Sequence, residues 1–200
     1  MHAGSSLAIL VALQNAPTIA PKPAPPIFVT SNYGLTFKAP PGSFYCPLPD
    51  GWVGSDHGTT VFLQSPEACG GAGYASSSRN FLGDVPRIEI YYGYWFADEE
   101  RAPPPCDMAG RTKLLSEPRP LCREDKDTRV NIRVWARYMA DSPAEVVVTL
   151  VTEPGRLDRD IATLITLTVS MRTCSFVWTE HGKKFATGTG PSCPEDGTHF

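Results

Sequence analysis

Six cysteines constrain this chain more than any other feature of its sequence. They are an even set with no CxxC or CxxxC spacing: Cys46, Cys69, Cys106, Cys122, Cys174 and Cys193. Zinc sites normally use closely spaced cysteine pairs to set the tetrahedron, so this spacing disfavours a metal centre. Three disulfides formed in an oxidising compartment account for the set most simply. The alternative is that some of these cysteines are free and buried.

The predicted connectivity is sequential: Cys46–Cys69, Cys106–Cys122 and Cys174–Cys193. The cysteine positions alone leave several pairings open. The sequential one is favoured because each pair then brackets a segment rich in proline and glycine, which we expect to be irregular. A disulfide across such a segment restricts the unfolded chain and so stabilises the fold.

The N-terminal residues agree with export. The apolar run 7–13 has the length of a signal-peptide core, and Ala16 and Ala20 are candidate cleavage sites. No Lys or Arg precedes the run, and proline follows both alanines, so an uncleaved anchor or a disordered cytosolic tail are the alternatives. We predict a signal peptide or N-terminal anchor over residues 1–20 and a proline-rich spacer over residues 21–26. The expected location is the periplasm or cell envelope.

Charge and apolar content exclude two classes of function. The formal net charge of -3 provides no basic field for phosphates, so nucleic-acid binding is not expected. No apolar run approaches the ~20 residues needed to cross a bilayer, so no transmembrane segment is expected beyond an N-terminal anchor. With 42% apolar residues, the chain of 200 residues can fill the core of one domain.

A single domain is predicted over residues 27–180, and its pattern is mainly that of β-strands. Alternating or β-branched runs predict strands over residues 33–37, 59–63, 87–94, 129–138, 145–152 and 175–179. The run 145–152 is apolar and β-branched, which predicts a strand covered on both faces. Turns are predicted at 141–143 and at His181-Gly182. Residues 181–200 are expected to form a loose C-terminal tail tied by Cys193.

Residues 157–171 fit two patterns. Leu157, Ile161 and Leu164 begin a helical stripe, and acidic residues in the first turn suit the helix dipole. Residues 165–172 also alternate between apolar and polar side chains, as a strand would. The residues alone leave both interpretations open.

The order of these elements resembles that of the Mog1/PsbP/DcrB-like group of small domains. Residues 33–42, Tyr-Gly-Leu-Thr-Phe-Lys-Ala-Pro-Pro-Gly, look like the group's opening strand, and residues 146–172 are similar to its closing strand, loop and helix. The resemblance implies an α+β fold, an antiparallel sheet packed against one or two helices, here stapled by disulfides. It therefore favours a helix over 157–171. Group members include binding modules, assembly factors and envelope proteins, so the fold implies no single function.

No catalytic signature is present in the sequence. Of the four histidines, only His57 lies among other reactive residue types, with Asp56 to orient it and Ser55 or Thr59 as a nucleophile. Adjacent residues of an extended loop rarely point at one another, so a turn before a strand is the favoured interpretation. We predict no catalytic residue, no cofactor and no metal.

The aromatic run 91–96 is the strongest candidate for a binding site. Strand side chains alternate between the two faces of a sheet, so these aromatics cannot all enter the core from one face. Exposed Tyr and Trp often anchor partners. The predicted binding residues are Tyr92, Tyr94, Trp95, Phe96, Asp98 and Glu99, with Trp52, Trp135 and Trp178 as further candidates. The alternative is that helices cover both faces of this strand and the run is ordinary core.

Together these features predict a non-catalytic exported module that binds another protein of the cell envelope, with no identity implied for that protein. Acidic loops at residues 98–100 and 124–127 are expected to assist the aromatic patch. The concrete form of this hypothesis is a bacterial inhibitor or immunity-type protein. An envelope structural or assembly factor is the first alternative, and a hydrolase using His57 is the second.

Overall fold

The computed structural model describes residues 20–30, 34–46, 57–66, 85–94, 106–138, 144–187, 190–194 and 198–199. The strands are β1 (Lys22–Pro23), β2 (Ile27–Thr30), β3 (Leu35–Lys38), β4 (Phe44–Cys46), β5 (His57–Leu63), β6 (Arg87–Tyr94), β7 (Asp107–Leu114), β8 (Glu117–Lys126), β9 (Arg129–Tyr138), β10 (Ala144–Thr152), β11 (Arg172–Thr173), β12 (Phe176–Glu180), β13 (Lys183–Thr187) and β14 (Thr198–His199). A 3-10 turn, Pro154–Arg156, leads into the helix α1 (Leu157–Ser170).

Most of these strands form one large antiparallel sheet, in the order β1-β4-β5-β6-β10-β9-β8-β7. The chain makes half of it by running back and forth through β7, β8, β9 and β10. A second sheet has the order β11-β3-β2-β14, in which β14 pairs with β2 in parallel. Strands β12 and β13 form a separate hairpin. The fold is mainly antiparallel sheet with one helix, as the predicted α+β class requires.

The core lies between one face of the large sheet and a layer made of α1 and the second sheet. Helix α1 contacts β3, β7 and β10. Aromatic side chains join the two sheets, since the Phe28 ring stacks on Phe37 at 5.5 Å and meets Phe62 edge-on at 5.0 Å between ring centroids. We call the face of the large sheet that carries this layer its core face, and the opposite face its outer face.

Alternation along the long strands decides which side chains reach the core. In β9 the residues predicted to share one face, Val130, Ile132, Val134 and Ala136, are all buried, and the residues between them are half-buried. The predicted strands over 87–94 and 129–138 are confirmed with their bounds. Strands β3, β5, β10 and β12 cover most of the other four predicted runs. The turn predicted at 141–143 lies outside the described residues.

The apolar composition of β10 predicted a strand covered on both faces. The structure shows instead that its two faces are covered unequally. Its core-face residues Val146, Val148 and Leu150 are buried, whereas Val147 and Thr149 on the outer face are only half-buried. The central part of the outer face therefore remains partly open to solvent.

The segment 157–171 is a helix, and the strand interpretation is wrong. Leu164, Leu167 and Met171 pack into the core from one face of α1, while Val169 is 39% exposed. On the same buried face, the Thr168 hydroxyl lies 2.8 Å from the Thr112 hydroxyl of β7. This hydrogen bond satisfies both hydroxyls in a buried position, where an unpaired one would be costly.

The hairpin β7–β8 replaces a region that we expected to be irregular. Its prolines, Pro118 and Pro120, lie before the part of β8 that pairs with β9, which begins at Cys122. Their missing N–H groups therefore cost no hydrogen bond in that ladder. The predicted acidic loop 124–127 is likewise wrong, because Glu124 and Asp125 lie in β8.

Both ends of the predicted domain extend further than expected. Within the predicted spacer, Lys22 and Pro23 pair with Tyr45 and Phe44, which adds the segment to the large sheet. The predicted loose tail contains β13 and β14. The predicted turn at His181-Gly182 joins β12 to β13, with φ of 49° and 76°, as a two-residue hairpin turn requires. The predicted signal or anchor lies almost wholly outside the described residues.

Two of the predicted disulfides are confirmed. Cys106–Cys122 has a Cα–Cα distance of 5.2 Å and Cys174–Cys193 one of 4.9 Å. Cys106, just before β7, is joined to Cys122 in β8, and Cys174–Cys193 encloses the β12–β13 hairpin. Neither disulfide closes an irregular loop, although that had been expected. Cys46 is disulfide-bonded as well, and its predicted partner Cys69 lies outside the described residues. Disulfide-bonded cysteines are compatible with an oxidising, exported location. In the described part of the chain, no helix is long and apolar enough to cross a membrane.

Replacing Leu164 with Ala tests how α1 holds to the sheet. Leu164 is fully buried, so we expect Leu164→Ala to lower the free energy of unfolding by about 2–5 kcal/mol. Val169→Ala, on the exposed side of the same helix, is the matched control and should cost less than about 1 kcal/mol. Urea unfolding under oxidising conditions measures both, and equal losses would contradict this packing.

Candidate functional site

Four side chains of different chemistry meet on the outer face of the large sheet. Strand pairing brings them together, because Trp135 of β9 lies opposite Val147 of β10, and Val147 lies opposite Tyr91 of β6. Arg137 lies opposite Glu145 in the same ladder. We call these residues, Tyr91, Trp135, Arg137 and Glu145, the Trp135 cluster.

Hydrogen bonding and stacking fix the position of the indole ring in this cluster. The Trp135 Nε1–H donates to Glu145 Oε2 at 2.9 Å, and Glu145 is only 7% exposed. The guanidinium carbon of Arg137 lies over the Trp135 ring, 5.6 Å from its centroid, which is a cation–π contact. The single donor of the indole is thus satisfied, and a cation covers its ring.

Tyr91 is half-buried on the outer face, and its surroundings shift the pKa of its phenol. Burial, and secondarily the negative charge of Glu145, raise the pKa of Tyr91 to about 12. Any tyrosine is protonated at neutral pH, and here the raised pKa keeps the phenol protonated into more alkaline solution. Half-burial of Tyr91 and Trp135 leaves part of each ring accessible to a partner.

The aromatic and arginine side chains of the cluster are of kinds that are common at protein interfaces. A phenol, an indole, a guanidinium and a buried carboxylate can anchor a partner, but this set contains neither an activated nucleophile nor a base that would activate one. Across the described segments, no group of three His, Cys, Asp or Glu side chains is placed to hold a metal ion.

The structure separates the residues that the aromatic run predicted. Tyr92 is 3% exposed and belongs to the core, where burial raises its pKa against the lowering effect of a hydrogen bond with Thr60. Its side chain therefore does not join an exposed patch. Tyr94 is the last residue of β6. The other predicted binding residues, Trp95, Phe96, Asp98 and Glu99, lie outside the described residues.

The remaining candidates lie at separate places. His57, the basis of the hydrolase alternative, is the first residue of β5 and pairs with Gly93, while Ser55 and Asp56 lie outside the described residues. Trp178 lies in β12, in the separate hairpin, and Trp52 lies outside the described residues. Of the tryptophan candidates, Trp135 is the one whose side-chain contacts are described.

Glu145 was not among the predicted binding residues, although the sequence contains a signal for it. Glu145 is the charged residue in the otherwise apolar β-branched run 144–152. A carboxylate in such a strand needs a hydrogen-bond partner, because an unpaired buried charge is costly. Its partner Trp135 stands across the β9–β10 hairpin, and finding it from sequence requires the register of that hairpin.

A second polar cluster, at the start of α1, is an anchor rather than a site. Asp160 is fully buried and accepts hydrogen bonds from Thr152 Oγ1, from Gln64 Nε2 at 3.1 Å and from Arg159 Nε at 3.2 Å. Arg156 Nε lies 3.5 Å from the same carboxylate. Burial acts to raise the pKa of Asp160, but these hydrogen bonds and the Arg156 charge outweigh it and lower the pKa. The carboxylate is fully engaged within the fold.

A pocket beside this anchor does not support a small-molecule ligand. It is lined in part by Phe62, Leu150 and Thr163, and its empty volume of about 270 Å³ includes open solvent. Small-molecule sites usually enclose roughly 300–1,000 Å³. The outer face is therefore the better candidate.

Comparison with known proteins yields no match among family models, curated proteins or solved structures.

Titration of stability with pH tests the Asp160 anchor. A carboxyl whose pKa is lowered by folding stabilises the native state above its unfolded pKa of about 3.9 and loses that contribution as pH falls through the folded pKa. We expect Asp160→Asn to be less stable than wild type at neutral pH, and the difference to narrow below about pH 4. Exposed Asp158→Asn is the matched control. A constant difference for Asp160→Asn in urea unfolding would contradict the anchor.

Replacing Glu145 with Gln tests the coupling between Glu145 and Tyr91. Because burial is the larger cause of the raised pKa and the Glu145 charge the smaller, Glu145→Gln should lower the pKa of Tyr91 from about 12 without returning it to 10.0. The measurement is the tyrosinate absorbance titration, taken as the difference between chains with and without Tyr91→Phe. An unchanged pKa would mean that the carboxylate does not act on Tyr91.

Proposed function

We propose that the protein is a non-catalytic exported module that binds another protein of the cell envelope through the outer face of its large sheet. The observation that carries this proposal is the Trp135 cluster. Tryptophan, tyrosine and arginine are the side chains that dominate binding energy at protein interfaces, and here all three meet on one half-buried face.

The fixed position of Trp135 supports binding rather than incidental exposure. Its hydrogen bond to Glu145 and its contact with Arg137 hold the ring before any partner arrives. A partner therefore does not pay the full entropy of ordering this side chain. Burying the Glu145 carboxylate costs desolvation free energy. Because Glu145 lies on the outer face, packing of the core does not require this buried charge.

Export and architecture form the other part of the proposal. The disulfides support folding in the periplasm or cell envelope, where such bonds persist. A single helix closing against an antiparallel sheet supports placing the chain with the Mog1/PsbP/DcrB-like group, which by itself implies no activity. An inhibitor or immunity-type protein is the concrete form of the proposed module.

Site-specific photo-crosslinking in the envelope of the source cell tests the proposed binding face. A photoreactive phenylalanine analogue replaces Thr149, a half-buried outer-face residue opposite Arg133, or Val169 on the exposed side of α1 as the matched control. We expect a discrete adduct from position 149 and none from position 169. Trp135→Ala or Arg137→Ala in the same chain should abolish that adduct while the variant still folds.

Three results would contradict the proposed function. They are no adduct at position 149, the same adduct at both positions, or an adduct that persists in both folded Trp135→Ala and folded Arg137→Ala. Circular dichroism of each purified variant establishes that it is folded.

A further inference from the structure

We infer that the partner presents an acidic protein segment, which this module receives on a basic part of its outer face. The inference rests on the proposed function, because it names the chemistry of the partner at the same face. We call the four residues concerned, Arg111, Lys113, Arg133 and Arg137, the basic face.

The edge strand β7 contributes two of these cations. Thr112 and Leu114 are buried against α1, so alternation turns Arg111 and Lys113 to the outer face, where both are exposed. Neither has an ion-pair or hydrogen-bond partner within the described residues. Two exposed, unpaired cations at a sheet edge also discourage edge-to-edge pairing, but that role does not account for the cations of β9.

Strand β9 contributes the other two cations, on either side of Trp135. Arg133 lies opposite Cys122 of β8. Pro120 and Pro118 are on the same side of β8 as Cys122, and they lie opposite Arg111 and Lys113. Side chains two residues apart on a strand are about 7 Å apart, so Arg133 and Arg137 flank Trp135 along β9. The four cations therefore lie on one face of the sheet, those of β7 just beyond the last pair of β8 with β9, Cys122 with Arg133.

The carboxylates near this patch leave it with excess positive charge. Glu124 is 3.9 Å from Arg133 and its side chain is 63% exposed, which makes a weak ion pair. Glu145 keeps its negative charge while it accepts the Trp135 hydrogen bond, and it lies opposite Arg137. Four cations thus exceed these two carboxylates, so a chain with a formal net charge of -3 carries a local positive charge on the face that holds Trp135.

The detailed chemistry favours carboxylates of a protein over a sugar. Arginine forks match carboxylates in a bidentate geometry. Saccharide binding to tryptophan would use an open ring face and polar groups around it, but the Trp135 donor is already bonded and Arg137 lies over the ring. An acidic segment can instead extend across Arg111, Lys113 and Arg133, because ion pairs with these cations need no open ring face.

Binding of a fluorescein-labelled decaglutamate peptide to the full oxidised chain tests this inference. Fluorescence anisotropy at low salt should show binding that weakens as salt is added. We expect Arg111→Glu/Lys113→Glu to weaken binding about tenfold, and Arg111→Gln/Lys113→Gln to weaken it less in the same direction. The control, Lys38→Glu/Lys183→Glu, makes the same charge change at two exposed lysines outside the large sheet and should alter binding less than about twofold.

Three results would overturn the inference. They are no decaglutamate binding by the wild type, equal losses in the basic-face and control variants, or a heparin fragment that displaces decaglutamate from the basic face at a far lower concentration than unlabelled decaglutamate does. If the adduct at position 149 forms while any of these three results is obtained, the proposed function stands. The inference that the partner presents an acidic segment is then wrong. If decaglutamate binding is specific to the basic face but no adduct forms, the proposed function fails instead.

Discussion

The attachment of α1 through Asp160 is the constraint on which the rest of the fold depends. A buried carboxylate tolerates only positions where donors surround it, and those donors come from Thr152 at the end of β10, from Gln64 after β5 and from the first turns of the helix. The helix can therefore dock in one rotation. That rotation places Leu164 and Leu167 on the sheet and leaves Val169 exposed.

The central strands use their two faces for different purposes. Val134 and Val146 on the core face belong to the hydrophobic core, whereas Trp135 and Glu145, their neighbours in sequence, form a polar and aromatic cluster on the opposite side. Because alternation assigns each residue to one face, substitutions on the outer face can change binding without repacking the core. This separation lets a small sheet protein carry a specialised surface on a constant framework.

Local patterns made part of the fold predictable from the sequence. The strand over 129–138 follows from strict alternation. The pairing of Cys174 with Cys193 was predicted because they bracket a segment rich in proline and glycine, and the pairing is right although that segment contains the β12–β13 hairpin. The β7–β8 hairpin was missed because prolines and charges obscure its alternation at an edge where water accepts them. The helix over 157–171 was ambiguous because its threonines and valine fit both periods, and packing against the sheet decides between them.

The candidate site was less predictable because it is made by register. Trp135 is hydrogen-bonded to Glu145 of the next strand, and Tyr91 lies on the strand beyond that, on the same face. No local pattern reveals which residues stand opposite one another. Tyr92, by contrast, lies beside Tyr91 in sequence but faces the core. The net charge misled in a similar way, since a sum over the chain conceals cations that the fold gathers on one face.

The parallel pairing of β14 with β2 has a consequence for how the protein reaches its native state. Phe28 of β2 lies beside Thr198 of β14, so this ladder joins residues that are far apart in the sequence. Contacts between such distant residues slow folding, because a long loop must close before the contact forms. The pairing of β2 with β3, which follow one another in the sequence, closes a much shorter loop. The second sheet can therefore begin from β2 and β3, with the β14 edge added later.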